Sequence, residues 1–155
     1  MIMTTQGLKS RIIDLLGEKY LFECNGRTFL QFDDSDDLSI QVLPNFTLEE
    51  LLTKNKVDTF TRLELGVLVL LQTIRDDFGY PIVVSSSYRS KAYNKSVNGA
   101  TSSRHEIGDA LDSHPKNMAR LPEYKKLITK MDIHGGMGLY PSFVHIDTRP
   151  NKARW

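Results

Sequence analysis

The chain has 155 residues, of which 40% are hydrophobic and 25% are charged, and its formal net charge is +1. This length and composition predict a globular domain with a buried core and exclude an intrinsically disordered protein. The near-neutral charge gives no indication of a nucleic-acid partner or of binding to an anionic membrane. The one cysteine, Cys24, excludes an internal disulfide and a cysteine-based zinc finger, and we expect a buried thiol there.

The first residues of the sequence carry no export signal. The segment MIMTTQGLKSRIIDLLGEK lacks the apolar stretch and the small-residue cleavage site of a secretory signal. No apolar run approaches the roughly 20 residues that a bilayer-spanning helix needs. We therefore expect a protein made in the cytoplasm, with no membrane span and no export route of its own.

Residues 1–43 predict a helix followed by a β-hairpin. Apolar residues at helical spacing indicate a short amphipathic helix over residues 8–16. Asn25-Gly26 lies between two aromatic-rich runs and predicts a two-residue hairpin turn, because both turn positions need a positive φ. Residues 38–43 predict a third strand. We interpret residues 1–43 as an N-terminal appendage of unknown role.

Residues 44–155 predict a second unit that mixes helices and strands. Thr47 and Glu50 fit a capping box that begins a helix, and helical spacing predicts the longest helix over residues 59–78. The other predicted elements are a strand at 81–84, a polar loop at 90–103, a helix at 122–131, a glycine-rich turn at 134–140 and a strand at 143–147. This order favours the α+β class.

His105 and Asp112 are two metal-ligand residue types separated by seven positions, with Gly108 between them. On a continuous helix they would stand about 10 Å apart, and on a straight strand about 23 Å apart. Two ligands that each lie about 2 Å from one metal ion cannot bridge either distance. A shared metal therefore requires the chain to fold back, and Gly108 permits such a turn. Residues 109–112 then predict a strand.

The segment 143–147 contains a second pair of candidate residues. Strand alternation places His145 and Asp147 on one face, with Val144 and Ile146 buried on the other. A histidine between apolar neighbours on a strand is more often a core residue than a ligand. Combined with His105 and Asp112, however, it completes the three-ligand set of an open catalytic zinc site, in which water takes the fourth position.

Arg89 follows the predicted strand 81–84 and borders the polar loop. An arginine at such a position is usually a solvated charge. It is also suited to act as a forked donor to a carboxylate or to a developing oxyanion. The residues alone leave both interpretations open.

Three motifs in this order, SSYRS, SSRHEIGDALD and GGMGLYPSFVHID, resemble the M15 metallopeptidase family. That family comprises zinc D-Ala-D-Ala carboxypeptidases and dipeptidases and phage L-alanyl-D-glutamate endolysins. The chain is more closely similar to the branch with the signatures S-G-Y-R-S, S-x-H-x-x-G-x-A-x-D and F-V-H-x-D, which includes murein endopeptidases. The resemblance covers roughly residues 46–155. It implies a hedgehog/DD-peptidase-like fold, with a small antiparallel sheet and flanking helices, and one zinc ion.

The resemblance also implies the roles of individual residues. The zinc ligands fall on His105, Asp112 and His145, and the arginine that binds the substrate and the transition state falls on Arg89. Ser103 and Tyr88 belong to the same motifs and are the other candidate substrate-binding residues.

The position of the catalytic carboxylate departs from other branches of the family. Those branches have Glu or Asp three residues before the last histidine, where this chain has Ser142. We expect Asp147 to replace it as the general base, with Asp109 as a weaker candidate. The alternative is that Asp147 only orients a metal ligand.

The implied activity is hydrolysis of an amide bond in the peptide stems or cross-links of bacterial peptidoglycan. The missing export signal favours a phage or prophage lytic enzyme or a virion-associated enzyme, released through a holin or carried by the particle. Two other hypotheses remain. One is a non-catalytic zinc-binding relative that binds peptidoglycan, and the other is a structural virion module whose residues 1–43 contact a virion or host partner.

Overall fold

The described residues (3–55, 58, 60–99 and 103–155) of this computed structural model contain two β-sheets, six α-helices and two short 3-10 helices at Glu18–Tyr20 and Met118–Arg120. The first sheet is antiparallel, in the order β1 (Leu21–Cys24), β2 (Arg27–Asp33) and β3 (Phe60–Glu64). The helices are α1 (Thr5–Leu15), α2 (Leu48–Leu51), α3 (Leu65–Phe78), α4 (Lys91–Ser96), α5 (Arg104–Ile107) and α6 (Leu121–Met131). This mixture confirms the α+β class.

The second sheet has five strands. They are β4 (Ile82–Ser86), β5 (Ala110–Pro115), β6 (Gly136–Leu139), β7 (Val144–Asp147) and β8 (Ala153–Arg154), and their spatial order is β4-β5-β7-β6-β8. All neighbouring pairs are antiparallel except β6 and β8, which are parallel. β5 and β7, which carry two of the candidate ligands, therefore lie side by side inside the sheet.

One hydrophobic core joins both sheets through α3. Its fully buried members include Ile12 on α1, Leu30 on β2, Leu71 on α3, Leu111 on β5 and Ile146 on β7. Burial of such side chains supplies most of the free energy that holds the two sheets together, at roughly 1.5–3 kcal/mol for each large apolar side chain. The division of the chain after residue 43 remains a prediction, and the paired strands β2 and β3 lie on its two sides.

Several local predictions are confirmed. Asn25 and Gly26 have φ values of 51° and 76° and connect β1 to β2, as the Asn-Gly signal predicts. Thr47 and Glu50 form the expected capping box at the start of α2. The helices predicted at residues 8–16 and 122–131 appear as α1 and α6, and the strand predicted at 81–84 appears as β4.

The helix predicted over residues 59–78 is wrong in its first part. Residues 60–64 form β3, in which Thr61 and Leu63 are buried while their neighbours are half-buried. This alternation lets β3 pair with β2, which would otherwise present an unpaired edge. The helix begins only after Glu64, whose carboxylate accepts hydrogen bonds from the free amides of Gly66 and Val67. Residue 59 lies outside the described residues.

The third strand predicted at residues 38–43 is also wrong. Leu43 makes only an isolated bridge with Phe46. The carbonyls of Leu38 and Ile40 instead accept hydrogen bonds from the first amides of α2. The segment therefore satisfies the start of a helix rather than a sheet edge.

Three further predictions need correction. The glycine-rich segment 134–140 contains β6 rather than only a turn. The loop predicted at 90–103 contains α4, which Ser90 caps, and residues 100–102 lie outside the described residues. Cys24 is exposed rather than buried. None of the helices in the described ranges combines the length and the apolarity that crossing a membrane requires.

Candidate metal centre

A sharp reversal of the chain brings His105 next to Asp112. His105 lies on α5, whose first turn is capped by Ser103. Gly108 ends this helix with φ +94°, and a Cβ there would clash with the carbonyl oxygen of Arg62 on β3. β5 then runs back with Asp112 in its interior. The predicted turn at Gly108 and the predicted strand after it are both confirmed.

His145 reaches the same point from the neighbouring strand. In the register between β5 and β7, Asp112 lies directly opposite His145. Asp112 Oδ1 is 3.2 Å from His105 Nε2 and 2.9 Å from His145 Nδ1. The three side chains are almost fully buried, with exposed fractions of 3%, 4% and 7% for His105, Asp112 and His145. One ligand atom from each lies within 4.8 Å of the other two, so the cluster is able to bind a metal ion.

The second ring nitrogen of each histidine points at an acceptor. His105 Nδ1 donates to the carbonyl oxygen of Ser87 at 2.6 Å, and His145 Nε2 donates to Asp147 Oδ2 at 2.8 Å. Because these acceptors hold a proton on the outer nitrogens, the inner nitrogens face Asp112 and are available as ligands. Metal-binding histidines characteristically have a carbonyl or carboxylate partner of this kind. The residues therefore fit a metal that accepts two imidazoles and a carboxylate, as zinc does.

The charges in the cluster favour a cation. Burial acts to raise the pKa of Asp112, but the hydrogen bonds and charges of His105 and His145 lower it to about 2. Burial acts to lower the pKa of His145, whereas its hydrogen bonds to Asp112 and Asp147 raise it above its ordinary value. Positive charge on His145, which lies between these two carboxylates, is thus stabilised.

Asp147 is fully buried and closely surrounded by donors. Its Oδ2 accepts from His145 Nε2 and from the Arg149 guanidinium, at 2.8 and 2.7 Å. Its Oδ1 accepts from the amides of Gly136 and Arg149 and from Arg149 Nε. Burial acts to raise the pKa of Asp147, but these hydrogen bonds hold it far below its ordinary value. The strand alternation that places Asp147 on the His145 face is confirmed.

Arg89 lies at the edge of the cluster. Its backbone amide donates to the carbonyl of His105, and its guanidinium reaches Asp112 Oδ2 at 3.5 Å. The same guanidinium donates to Ser86 Oγ and Asn94 Oδ1. Three side chains therefore hold the guanidinium in place, and its role as a forked donor to a substrate carboxylate or oxyanion stays a prediction.

The cluster opens into a cleft of about 410 Å³. Beside the three candidate ligands, its described lining consists of Arg89, Gly99, Ser103, Arg104, Tyr140, Phe143, Arg149 and Trp155. Within this described lining, Asp112 carries the one carboxylate side chain.

The other candidate residues lie at different distances from the cleft. Ser103 lines it, but its Oγ already accepts from the His105 amide at 3.2 Å. Tyr88 instead lines a neighbouring cleft that Arg89 shares, and its ring packs against Phe60. Asp109 is fully buried between Arg27 and Arg104 and does not line the cleft.

Sequence reasoning missed Arg149, Trp155 and the acceptor carbonyl of Ser87. Arg149 had a local signal, because it follows Asp147 by two residues in extended chain. Trp155 had none, since it reaches the cleft only through the pairing of β8 with β6. A backbone carbonyl is invisible to motif reasoning, because any residue type supplies one.

Comparison with known proteins agrees with this geometry. Residues 44–147 match the family described as Peptidase M15, and this segment includes all three candidate ligands together with Arg89 and Asp147. None of the curated proteins compared with the chain matches it. Because the match spans more than half of the sequence, the chain belongs to the M15 peptidase family.

Proposed function

We propose that this protein is a zinc-dependent peptidase that hydrolyses an amide bond in the peptide stems or cross-links of bacterial peptidoglycan. The observation that carries the proposal is the buried cluster of His105, Asp112 and His145, in which each histidine has an acceptor behind it. This cluster lies inside the segment that matches a peptidase family. When bound, zinc supplies polarisation of the scissile carbonyl and a water of lowered pKa.

Arg89 binds the negative charge of the substrate in this proposal. Its guanidinium borders the cleft, and Ser86, Asn94 and Asp112 hold its orientation. A fixed fork of this kind costs little reorganisation when a substrate carboxylate or a developing oxyanion arrives. Peptidoglycan stems carry carboxylates, so the charge of this part of the cleft suits them.

Asp147 orients His145 in this proposal, and hydrolysis also requires a group that accepts the proton of the attacking water. The Asp147 oxygens already accept hydrogen bonds from His145, Arg149 and Gly136. A carboxylate with a strongly lowered pKa is also a weak base. We retain the general-base role as the competing hypothesis, since the two roles predict different kinetics.

The biological setting is part of the proposal. The SSYRS, SSRHEIGDALD and FVHID motifs resemble a family that includes phage endolysins, and on that resemblance we propose a phage or prophage lytic or virion-associated role. Residues 1–43 are the proposed contact to a virion or host partner. The peptide stem is the proposed substrate, with no nucleic-acid partner.

A second function has one observation in its favour. Within the described lining of the cleft, Asp112 is the one carboxylate, and it is also a candidate ligand. A protein that keeps the metal but lacks a separate proton acceptor would bind peptidoglycan without cleaving it.

Mass spectrometry of purified muropeptides distinguishes the two functions. Zinc-loaded wild type is expected to release fragments that differ by hydrolysis of one amide, and His105→Ala is expected to release none. His134→Ala is the matched control, because His134 is exposed and bonds only to the carbonyl of Pro150 among the described residues. Intact muropeptides together with one bound zinc would support the binding function, and full activity of His105→Ala would contradict the metallopeptidase.

A further inference from the structure

A second cleft adjoins the metal cleft at Arg89. Its volume is about 380 Å³, close to the 410 Å³ of the metal cleft. Three segments supply its described lining: residues 53–55 after α2, residues 85, 86, 88 and 89 at and after the end of β4, and Tyr93 and Val97 on α4. We call it the Lys54 cleft. Because Arg89 is the one residue that the two described linings share, the clefts meet at this residue.

The Lys54 cleft carries positive charge without a lining carboxylate. Lys54 and Arg89 contribute an ammonium and a guanidinium, and the described lining contains no acidic side chain. The Lys54 ammonium donates to the carbonyl oxygens of Glu50 and Glu49, at 2.9 and 3.5 Å, at the end of α2. These carbonyls use two of its three N–H groups, so the third remains for a ligand.

The environment of Lys54 favours an anion in the cleft. Desolvation lowers the pKa of Lys54, whereas the charges of Glu50 and Glu49 oppose this effect. Neither glutamate belongs to the described lining of the cleft. A negative charge bound beside the ammonium would therefore offset part of its desolvation cost.

The other polar groups of the lining are rich in donors and poor in acceptors. Ser86 Oγ accepts from Arg89 Nε at 3.2 Å, and its own hydrogen has no acceptor among the described residues. The Tyr93 hydroxyl hydrogen likewise has no acceptor in the described part of the chain. The amide oxygen of Asn55 already accepts from the Asp58 amide at 2.7 Å. Such a lining matches a ligand group that supplies oxygen acceptors and negative charge.

We propose that the Lys54 cleft is a second ligand site, separate from the metal cluster, that binds an oxyanion group, either a carboxylate or a phosphate. Two sources supply such a group: a free anion, or a carboxylate of the substrate at some distance from the scissile amide. The second source rests on the proposed function, whereas the site itself does not.

Arg89 couples this site to the metal cluster. Its guanidinium contacts Ser86, Asn94 and Asp112 at 3.2, 3.3 and 3.5 Å, so the contact with the candidate ligand Asp112 is the longest. An anion bound beside Arg89 competes with that contact. Occupancy of the Lys54 cleft therefore acts on the metal cluster through one side chain.

Nuclear magnetic resonance of the zinc-loaded protein, titrated with inorganic phosphate, tests the site. Saturable shifts are expected for the backbone amides of Thr53, Asn55 and Ser86. Lys54→Gln keeps an N–H for the carbonyls of α2 but removes the charge, so it is expected to weaken phosphate binding about five- to tenfold. Lys54→Arg is expected to retain the affinity within about twofold. Lys95→Gln is the matched control, because Lys95 is an exposed lysine of α4 outside the described lining.

Two results would overturn the proposal. One is equal phosphate affinity in the wild type and in Lys54→Gln. The other is a set of shifts confined to Ser103, His105 and His145, which would place the phosphate at the metal cluster instead.

Competition with a stem peptide distinguishes the two sources of the anion. A peptide that displaces phosphate, and whose KM rises about five- to tenfold in Lys54→Gln with kcat within twofold, identifies the substrate carboxylate as the occupant. A peptide that is cleaved while phosphate stays bound identifies a free anion. Phosphate binding that depends on Lys54, together with intact stem peptides, supports the site and contradicts the proposed function.

Discussion

The two sheets contribute differently to the candidate metal centre. The five-stranded sheet carries Asp112 and His145, and its strand β5 follows the turn after α5, the helix that carries His105; the three-stranded sheet carries none of the three. In the five-stranded sheet, the buried Asp112, His145 and Asp147 are paired with ionisable side chains, and the buried Ser113 pairs with the Tyr124 hydroxyl. The three-stranded sheet contributes mainly apolar side chains to the core. The comparison separates the residues that form the candidate site from those that support it.

Charged and polar contacts connect the two sheets near the site. Arg27 at the start of β2 bonds to Asp109 at 3.0 Å and to Glu64 at 3.3 Å. Glu64 in turn accepts from Thr148 Oγ1 at 2.6 Å, and its amide donates to the carbonyl of Gly108. Asp109 and Gly108 belong to the turn between His105 and Asp112. The hairpin of residues 1–43 therefore contacts the scaffold of the site rather than the site itself.

The largest effect is expected from removing the carboxylate between the two histidines. Asp112→Ala is expected to lower zinc affinity by far more than the roughly 10- to 100-fold that the loss of an outer partner causes. Zinc content measured by atomic absorption after dialysis checks this. Glu123→Ala is the control, since Glu123 is an exposed residue in a surface ion pair. Retention of one zinc per chain in Asp112→Ala would show that the five-stranded sheet does not hold the metal as described.

The next effect distinguishes the two roles of Asp147. Asp147→Asn removes the negative charge behind His145, so we expect zinc affinity to fall about 10- to 100-fold. With saturating zinc, most of the turnover is expected to return. Zinc titrations and kcat measured at saturating zinc check both statements. Unchanged zinc affinity with lost turnover would instead identify Asp147 as the general base.

A smaller effect tests the support that comes from the three-stranded sheet. Arg27→Ala leaves Asp109 with Arg104 as its remaining cation, so we expect a loss of about 2 kcal/mol in the free energy of unfolding, less than for a fully orphaned buried charge. Zinc affinity is expected to change less than in Asp147→Asn. Lys9→Ala, which breaks an exposed pair with Glu23, is expected to cost at most about 1 kcal/mol. If Arg27→Ala abolished zinc binding, the distinction between site and support would fail.

The smallest effect concerns the packing of α6 on β5 behind the site. Burial raises the pKa of Tyr124 to about 12, although its hydrogen bond with Ser113 opposes this. Because the folded state keeps the phenol neutral, the stabilisation is fully present below pH 10 and is lost as the pH rises towards 12. By pH 11 we expect a loss of roughly 1.4 kcal/mol. Chemical denaturation at pH 9, 10 and 11 checks this, and Tyr124→Phe is expected to remove the slope above pH 10; an unchanged slope in that variant would contradict it.

The sequence predicted the residues of the candidate site more accurately than it predicted the strands of the three-stranded sheet. The spacing of His105 and Asp112 required a reversal at Gly108, and the alternation of the last strand placed His145 beside Asp147; both follow from local geometry. β3 was missed because Phe60, Leu63 and Val67 continue the helical spacing of α3. Its strand conformation comes from pairing with β2, which is a contact between distant parts of the chain.

The cleft around the metal cluster was predicted less completely for the same reason. Trp155 and Tyr140 meet through the pairing of β6 with β8, and the carbonyl of Ser87 reaches His105 across 18 residues. No pattern within a short segment of the sequence predicts such contacts, because the two partners lie far apart in the chain. Gly136 and Gly138 belong to a segment predicted as a turn, yet both lie in strand β6. A Cβ would clash with Asp147 at Gly136 and with Trp155 at Gly138.

X-ray absorption spectroscopy at the zinc edge tests the central claim most directly. For the zinc-loaded wild type, the account predicts nitrogen and oxygen ligands at about 2.0–2.2 Å, with the outer scattering of two imidazoles, and one imidazole in His145→Ala. Scattering from sulfur at about 2.3 Å would place the metal at Cys24 or a methionine instead. That result, or two imidazoles retained in His145→Ala, would contradict a metal centre formed by His105, Asp112 and His145.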